Sequence, residues 1–316
     1  MVKIISCLED EALVAGIREV VPDAEISFIS PDDPVPDNLA GNLQADCLIG
    51  VASQLNQIAD IIAKIEGLQW IHVLGTGISG FPLESVGDRL LTTSRGANAV
   101  PVAEWAFAMI IAARKNLPAH WINEPPPYWG LGENIGTLKG QKLAIYGFGA
   151  IGQKLAKMAL AFEMEISVMT RQSAPDMEGV RGVDNLQALL TDADHVVLAA
   201  PATAATHHVI NKDSMALMKP GAHLVNVARG ELVNEADLRD ALDNGHIARA
   251  SLDVAEDEPL PAGHWFYTHE KVLFSPHLAW FDESVLQTIL TSFLENLARF
   301  AKQETLENLV DMSAGY

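Results

Sequence analysis

The chain has 316 residues, too many for one core of ordinary size, and its 49% hydrophobic and 20% charged residues exclude a disordered polymer. A formal charge of −20, with Lys and Arg in no long run, repels phosphate backbones and excludes nucleic acid as a natural partner. No apolar stretch is long enough to cross a bilayer, so no membrane partner is expected. The acidic pair Glu9 and Asp10 comes too early for a secretory leader, and Cys7 and Cys47 read as reduced core residues, so the expected location is cytoplasmic.

In chain order, short β-branched runs alternate with segments of helical period. Residues 2–7, 25–30, 45–52, 69–75 and 90–94 read as a first set of strands, with helices at 10–21 and 54–65. A long helix is predicted over 100–117, closed by Pro118. Val102, Trp105, Ala106, Met109, Ile110 and Ala113 form its buried face; Phe107 and Ile111 fall off that face, so burial on more than one side is expected. The stretch from Glu124 through Pro125 and Trp129 to Gly130 reads as an irregular arm, lid edge or plain loop. A second set of strands follows at 141–147, 165–171, 195–200, 222–228, 249–255 and 271–276. Six is the number a full dinucleotide-binding sheet requires. Leu286, Ile289, Leu290, Phe293, Leu297 and Phe300 then mark a closing amphipathic helix. The alternation predicts an α/β protein of buried parallel sheets with helices on both faces.

The run Gly147-Phe148-Gly149-Ala150-Ile151-Gly152 follows a predicted strand and opens a helix. Gly147 makes the tight turn, Gly149 admits a pyrophosphate, and Gly152 lets the helix pack on the strand. The pyrophosphate then meets free N–H groups at the helix start. An NAD site usually places a carboxylate at the end of the next strand to hold the ribose 2′-OH. Here Thr170, Arg171 and Ser173 stand instead, a guanidinium and two hydroxyls suited to a 2′-phosphate. NADP(H) is therefore expected to be preferred over NAD(H).

Three further segments each follow a predicted strand. They are Val225-Asn226-Val227-Ala228-Arg229-Gly230, Leu252-Asp253 continuing to Glu258-Pro259, and Phe274-Ser275-Pro276-His277 continuing to Trp280. Imidazole titrates near neutrality, so His277 is suited to give or take a proton, and Glu258 to hold its other nitrogen. The planar fork of Arg229 suits a carboxylate. Together with Asn98, Val102-Ala103-Glu104, Arg114, Pro201 with Thr206, and Lys219-Pro220-Gly221, this set closely resembles the D-isomer-specific 2-hydroxyacid dehydrogenases from about residue 69 onward.

The resemblance implies a Rossmann-type cofactor domain at 98–283 inserted into a flavodoxin-like substrate domain of 1–97 and 284–316, both doubly wound, with the active site in the cleft between them. It makes His277 the general acid, Glu258 its partner, Arg229 the carboxylate binder and Asp253 a contact of the nicotinamide carboxamide. Pro201, Thr206 and Val227 join the cofactor contacts, and Gly75, Thr76 and Gly77 hold the substrate carboxylate on backbone amides. Relatives usually carry acids just beyond that loop, where this chain has Ser79-Gly80-Phe81. Trp280, with Phe281 and Trp129, is a candidate pocket lining. A homodimer is implied by resemblance alone. The expected reaction is reduction of glyoxylate, hydroxypyruvate or a similar 2-keto acid. Oxidation of a small anion such as phosphite, or nucleotide sensing as a corepressor or scaffold, are the alternatives. His207 with His208, and His264 with His269, lack ligand spacing on a predicted helix, so no metal is expected.

Overall fold

A computed structural model describes residues 1–30, 43–51, 57–78, 80–117, 121–122, 124–125, 129, 135–171 and 175–315. The chain divides into two compact units, Met1–Asn98 with Asp282–Tyr316, and Ala99–Phe281. The first carries β1 (Lys3–Ser6), α1 (Glu11–Val20), β2 (Glu25–Phe28), β3 (Leu43–Gln44), β4 (Cys47–Val51), α2 (Ile58–Lys64), β5 (Ile65–Glu66), β6 (Trp70–Leu74) and β7 (Leu90–Thr93). The second begins with α3 (Ala99–Arg114), β8 (Lys142–Tyr146), α4 (Ala150–Ala161), β9 (Glu165–Met169), β10 (Val180–Val183), α5 (Leu186–Leu190) and β11 (His195–Leu198). It continues with α6 (Lys212–Ala216), β12 (Ala222–Asn226), α7 (Glu235–Asp243), β13 (Ile247–Leu252) and β14 (Val272–Phe274), and α8 (Glu283–Ala301) belongs again to the first unit.

The five-stranded sheet of the first unit runs β2-β1-β4-β6-β7, all parallel. Setting aside the two-residue ladder of β3 with β5, its strands follow the order 2-1-3-4-5 of flavodoxin-like sheets. β4 and β6 are buried along nearly their whole length, which explains their continuous apolar reading. His72 on β6 is tolerated there because its ring nitrogens meet Thr92 Oγ1 at 2.8 Å and Ser94 Oγ at 3.3 Å. Burial pushes that imidazole down to about 3, so it is a neutral core residue. Asp10 caps α1 by accepting the Leu13 N–H at 2.7 Å. Gly16 then lets α1 close on α8, for a Cβ there would stand 2.6 Å from Leu294 Cδ1. Beneath α8, Phe293 stacks on Trp70 with ring centroids 5.6 Å apart.

The second unit holds seven parallel strands in the order β10-β9-β8-β11-β12-β13-β14. This is the 3-2-1-4-5-6 arrangement of dinucleotide-binding sheets with one strand added. Leu143, Ile145, Val168, Val197, Leu224 and Val225 fill its interior, each burial contributing about 1.5–3 kcal/mol. The strand that the sequence does not announce is β10, whose Val-Arg-Gly-Val run is half-exposed at the sheet edge. α3 buries Ala99, Val102, Ala103, Ala106, Phe107 and Ile110. Trp105 and Met109 are only half-buried, so the packed stripe lies about one residue around from the expected face. Phe107 meets Phe162 edge-on at 4.9 Å, which accounts for burial on the second side. The helix ends at Arg114, before the expected 117, and Asn116 turns left-handed at φ 49°; Pro118 lies outside the described residues.

Candidate active site at the carboxyl edge of the second sheet

Open parallel sheets collect ligands at the carboxyl ends of their strands, beside the point where strand order reverses. In the second unit that point lies between β8 and β11. The glycines of the loop after β8 separate by what a side chain would meet. At Gly147, with φ +104°, a Cβ would lie 2.7 Å from the Ala199 and Ala200 backbone; at Gly152 it would lie 2.3 Å from the Gly147 carbonyl oxygen. Both are glycine because the loop and helix approach that closely. Gly149 differs: among the described residues nothing lies within 4 Å of its Cβ position, and no side chain caps the start of α4 there. An open cradle before a helix start fits a dinucleotide pyrophosphate. Phe148 and Ile151 pack against the core below it, while Ala150 is exposed.

After β9, Thr170 is half-buried and Arg171 exposed, with no carboxylate at the strand end; Ser173 lies outside the described residues. After β11, Thr206 Oγ1 donates to the Pro201 carbonyl and accepts the Thr203 N–H, both at 2.8 Å. Its hydroxyl therefore shapes that loop from within. Val227 is buried at the end of β12.

Three strand ends carry His277, Glu258 and Arg229. His277 follows β14 in a left-handed turn, φ 52°, with its N–H donating to the Asp253 carbonyl at 2.7 Å. Its Nδ1 meets Glu258 Oε2 at 2.7 Å. The other Glu258 oxygen accepts the Ala255 N–H at 3.0 Å. Partial burial raises the Glu258 carboxyl, but the hydrogen bonds from His277 and Ala255, with the charges of His277 and Arg229, outweigh it and hold it below the usual carboxylate range. Arg229 is half-buried after β12 and donates from one terminal nitrogen to the Ala228 carbonyl at 2.7 Å.

Gly230, Asn226 and Ser275, which the sequence reading did not single out, hold these three in place together with Asp253. Gly230 has the Ala255–Glu256 backbone about where a Cβ would be, 1.9 Å from Ala255 C, so the Arg229 loop lies directly on the Glu258 loop. Asn226 accepts the Ala228 N–H at 3.0 Å and donates to the Arg229 carbonyl at 2.8 Å. Asp253 is only 3% exposed, and its carboxylate accepts Ser275 Oγ at 2.5 Å, the Leu278 N–H at 2.9 Å and the Ala279 N–H at 3.0 Å. It is the anchor of the His277 turn. The signal was present in the sequence, since Asn226, Gly230 and Ser275 all lie inside the three quoted segments, but nothing in spacing says which side chains face inward.

Trp280 is half-buried against the core and 5.5 Å from Phe281, which is 70% exposed; Trp129 is exposed as well. Gly75, Thr76 and Gly77 belong to the first unit, half-buried at the carboxyl end of β6, where Gly75 accepts the Ser94 N–H at 2.8 Å. His207 and His208 stand in a turn, not on a helix, and gather with Glu256.

Residues 107–279 match the family model described as D-isomer specific 2-hydroxyacid dehydrogenase, NAD binding domain. A D-3-phosphoglycerate dehydrogenase of Methanocaldococcus jannaschii is 33% identical over 85% of this chain and 52% of its own length. This chain thus spans about half the length of that relative. A glyoxylate reductase of Thermococcus litoralis is 31% identical over 80% of each chain. Among solved structures, an NADPH-dependent glyoxylate/hydroxypyruvate reductase of Sinorhizobium meliloti, in complex with NADP and sulfate, superimposes with a TM-score of 0.81 over all of both chains at 23% identity. At that identity the likeness is one of fold.

Proposed function

The chain belongs to the D-isomer specific 2-hydroxyacid dehydrogenase family, and from that premise we propose that it reduces a 2-keto acid of the size of glyoxylate or hydroxypyruvate to the D-2-hydroxy acid with NADPH. The observation that carries this reading is the 2.7 Å pair of His277 Nδ1 with Glu258, set at the same sheet edge as the open glycine turn.

Glu258 accepts a hydrogen bond from the Nδ1–H, which fixes the tautomer and aims Nε2 away from the carboxylate. Nε2 then presents its proton to the keto oxygen. Arg229 pairs with the substrate carboxylate and polarises the carbonyl, while its charge also keeps Glu258 ionised. The nicotinamide, when bound, supplies the hydride; Gly147, Gly149 and Gly152 shape the loop for its pyrophosphate, and Thr170 and Arg171 receive the 2′-phosphate. Run backwards, Nε2 accepts the hydroxyl proton. The proposal includes a homodimer and a cytoplasmic location, the second in keeping with two buried, unpaired thiols.

A second reading, oxidation of D-3-phosphoglycerate, is favoured by the relatives named for that activity. One absorbance assay at the reduced-nicotinamide band separates the two. The plate holds glyoxylate, hydroxypyruvate and other 2-keto acids with NADPH or NADH, D-3-phosphoglycerate with NAD⁺ or NADP⁺, and His277→Ala beside the native protein. Fast NADPH loss with a small keto acid, abolished in the variant, is expected. A higher kcat/KM with NADH overturns the cofactor assignment. Turnover of D-3-phosphoglycerate alone installs the second reading, and no turnover at all sinks both.

A further inference from the structure

We propose that His207, His208 and Glu256 form a binding site for a divalent transition-metal ion of the zinc type, joining two loops of the second unit. The ligand atoms of the three residues lie within 4.8 Å of one another, although Glu256 stands 48 residues beyond His208. His208 Nε2 and Glu256 Oε1 are 3.1 Å apart. Zinc bonds of about 2.0–2.1 Å in tetrahedral geometry put neighbouring ligand atoms about 3.3 Å apart, so this pair already spans one edge of such a site. The two imidazole rings stand 3.9 Å apart, tilted by 51°.

Both loops are held before any ion arrives. His208 is left-handed at φ 48°, fixed by its N–H on the Glu231 carbonyl at 2.7 Å and by its carbonyl accepting Asn211 Nδ2 at 2.9 Å. Such a conformation is uncommon outside glycine and persists where surrounding bonds impose it. Glu256 is anchored by its N–H on Glu235 Oε1 at 2.9 Å, and Glu235 in turn faces His264 Nε2 at 3.2 Å. The three side chains face one another from pre-set backbones, so little ordering entropy opposes binding.

Two imidazoles and one carboxylate suit zinc, nickel or copper, whereas magnesium and calcium take oxygen ligands. Coordination through His208 Nε2 needs the Nδ1–H tautomer. Asn234 Nδ2 is 3.5 Å from Nδ1, too far to hold the other tautomer firmly. His207 and Glu256 are exposed, which leaves a position open to water. The ion would replace the His208–Glu256 hydrogen bond and bind the loop after β11 to the loop after β13, two residues short of Glu258.

The test uses untagged protein and zinc chloride in isothermal titration, with cobalt(II) absorption as a second readout; neither depends on turnover. One zinc per chain is expected, with affinity about tenfold or more weaker in His207→Ala and in Glu256→Gln, and unchanged in His269→Ala. Cobalt should give intense tetrahedral bands in the native protein that are lost in His208→Ala. Thermal melts without metal show that each variant is folded. No zinc binding, equal affinity in native and Glu256→Gln protein, or a loss that follows His269 in place of His207 overturns the site.

Discussion

The two ends of the seven-stranded sheet carry histidines in opposite states. At the carboxyl end, His277 is part-exposed, in a left-handed turn, and shares Nδ1 with a carboxylate. Toward the amino end, His195 and His223 are buried and face each other Nδ1 to Nδ1 at 3.2 Å. Their outer nitrogens meet Gln141 Oε1 and Ser251 Oγ, both at 2.9 Å. Every partner in that chain is neutral. Burial lowers His195 to about 4, with Asp194 opposing and Arg114 assisting, and burial with the charges of His195 and Arg249 lowers His223 well below the ordinary value. Buried imidazoles among neutral partners stitch three strands and the residue before β8 together, whereas the accessible one stands against a carboxylate.

The largest break in this contrast comes from removing the ring at the carboxyl end. His277→Ala should lower kcat by about 10²–10⁴, the worth of a positioned proton donor, with the melting temperature nearly unchanged. Steady-state rates on a turned-over keto acid check the first part and a thermal melt the second. An intact rate would put the proton donor elsewhere.

Acid should act first on the other end. The folded values of His195 and His223 lie below the unfolded one near 6.5, so between about 6.5 and about 4 the unfolded chain binds more protons. Stability must then rise with pH across that window and fall on acidification, by roughly 3 kcal/mol for His195 once pH 4 is reached. Urea unfolding at stepped pH measures the slope. His195→Gln should flatten it, and an unchanged slope would mean that other groups govern acid lability.

Much of this contrast was legible in the chain, and the illegible part has a physical cause. The glycine turn and the strand count of the first sheet could be read because strand periodicity and turn chemistry are local, whereas the His277, Glu258 and Arg229 set was pointed to by the family resemblance. β10 escaped because an edge strand with Arg181 and Gly182 buries too little to leave an apolar pattern. The His195–His223 chain escaped because parallel register, His195 opposite His223, is set by tertiary pairing over 28 residues. Asp253 was expected at the cofactor. Its role as anchor of the His277 turn depends on three donors from 275–279, which only the fold supplies.

A smaller effect sharpens what the carboxylate adds. Glu258→Gln keeps a hydrogen-bonding side chain of nearly the same shape and removes the charge. The rate should fall about tenfold to 100-fold, the scale for a group that orients another. Because the native Glu258 carboxyl is held below the usual carboxylate range, loss of rate from its protonation is confined to low pH, and Glu258→Gln should remove that acid limb. A lower rate with an unmoved profile would assign Glu258 a purely geometric role.

The smallest effect tests whether the carboxyl end is open by design. Gly149 has φ −77° and ψ −159°, a conformation alanine adopts freely, and its Cβ would meet nothing among the described residues. Gly149→Ala should therefore shift stability by no more than about 0.5 kcal/mol. It should still weaken NADPH binding several-fold, because the added methyl occupies space kept for the pyrophosphate. Gly152→Ala is the contrast, since its methyl would press on the Gly147 carbonyl and must lower the melting temperature even without cofactor. Fluorescence titration with NADPH beside thermal melts of both variants reads the difference. If Gly149→Ala binds NADPH as well as the native protein, the open space after β8 is not where the pyrophosphate lies, and the cofactor must approach the sheet by another strand end.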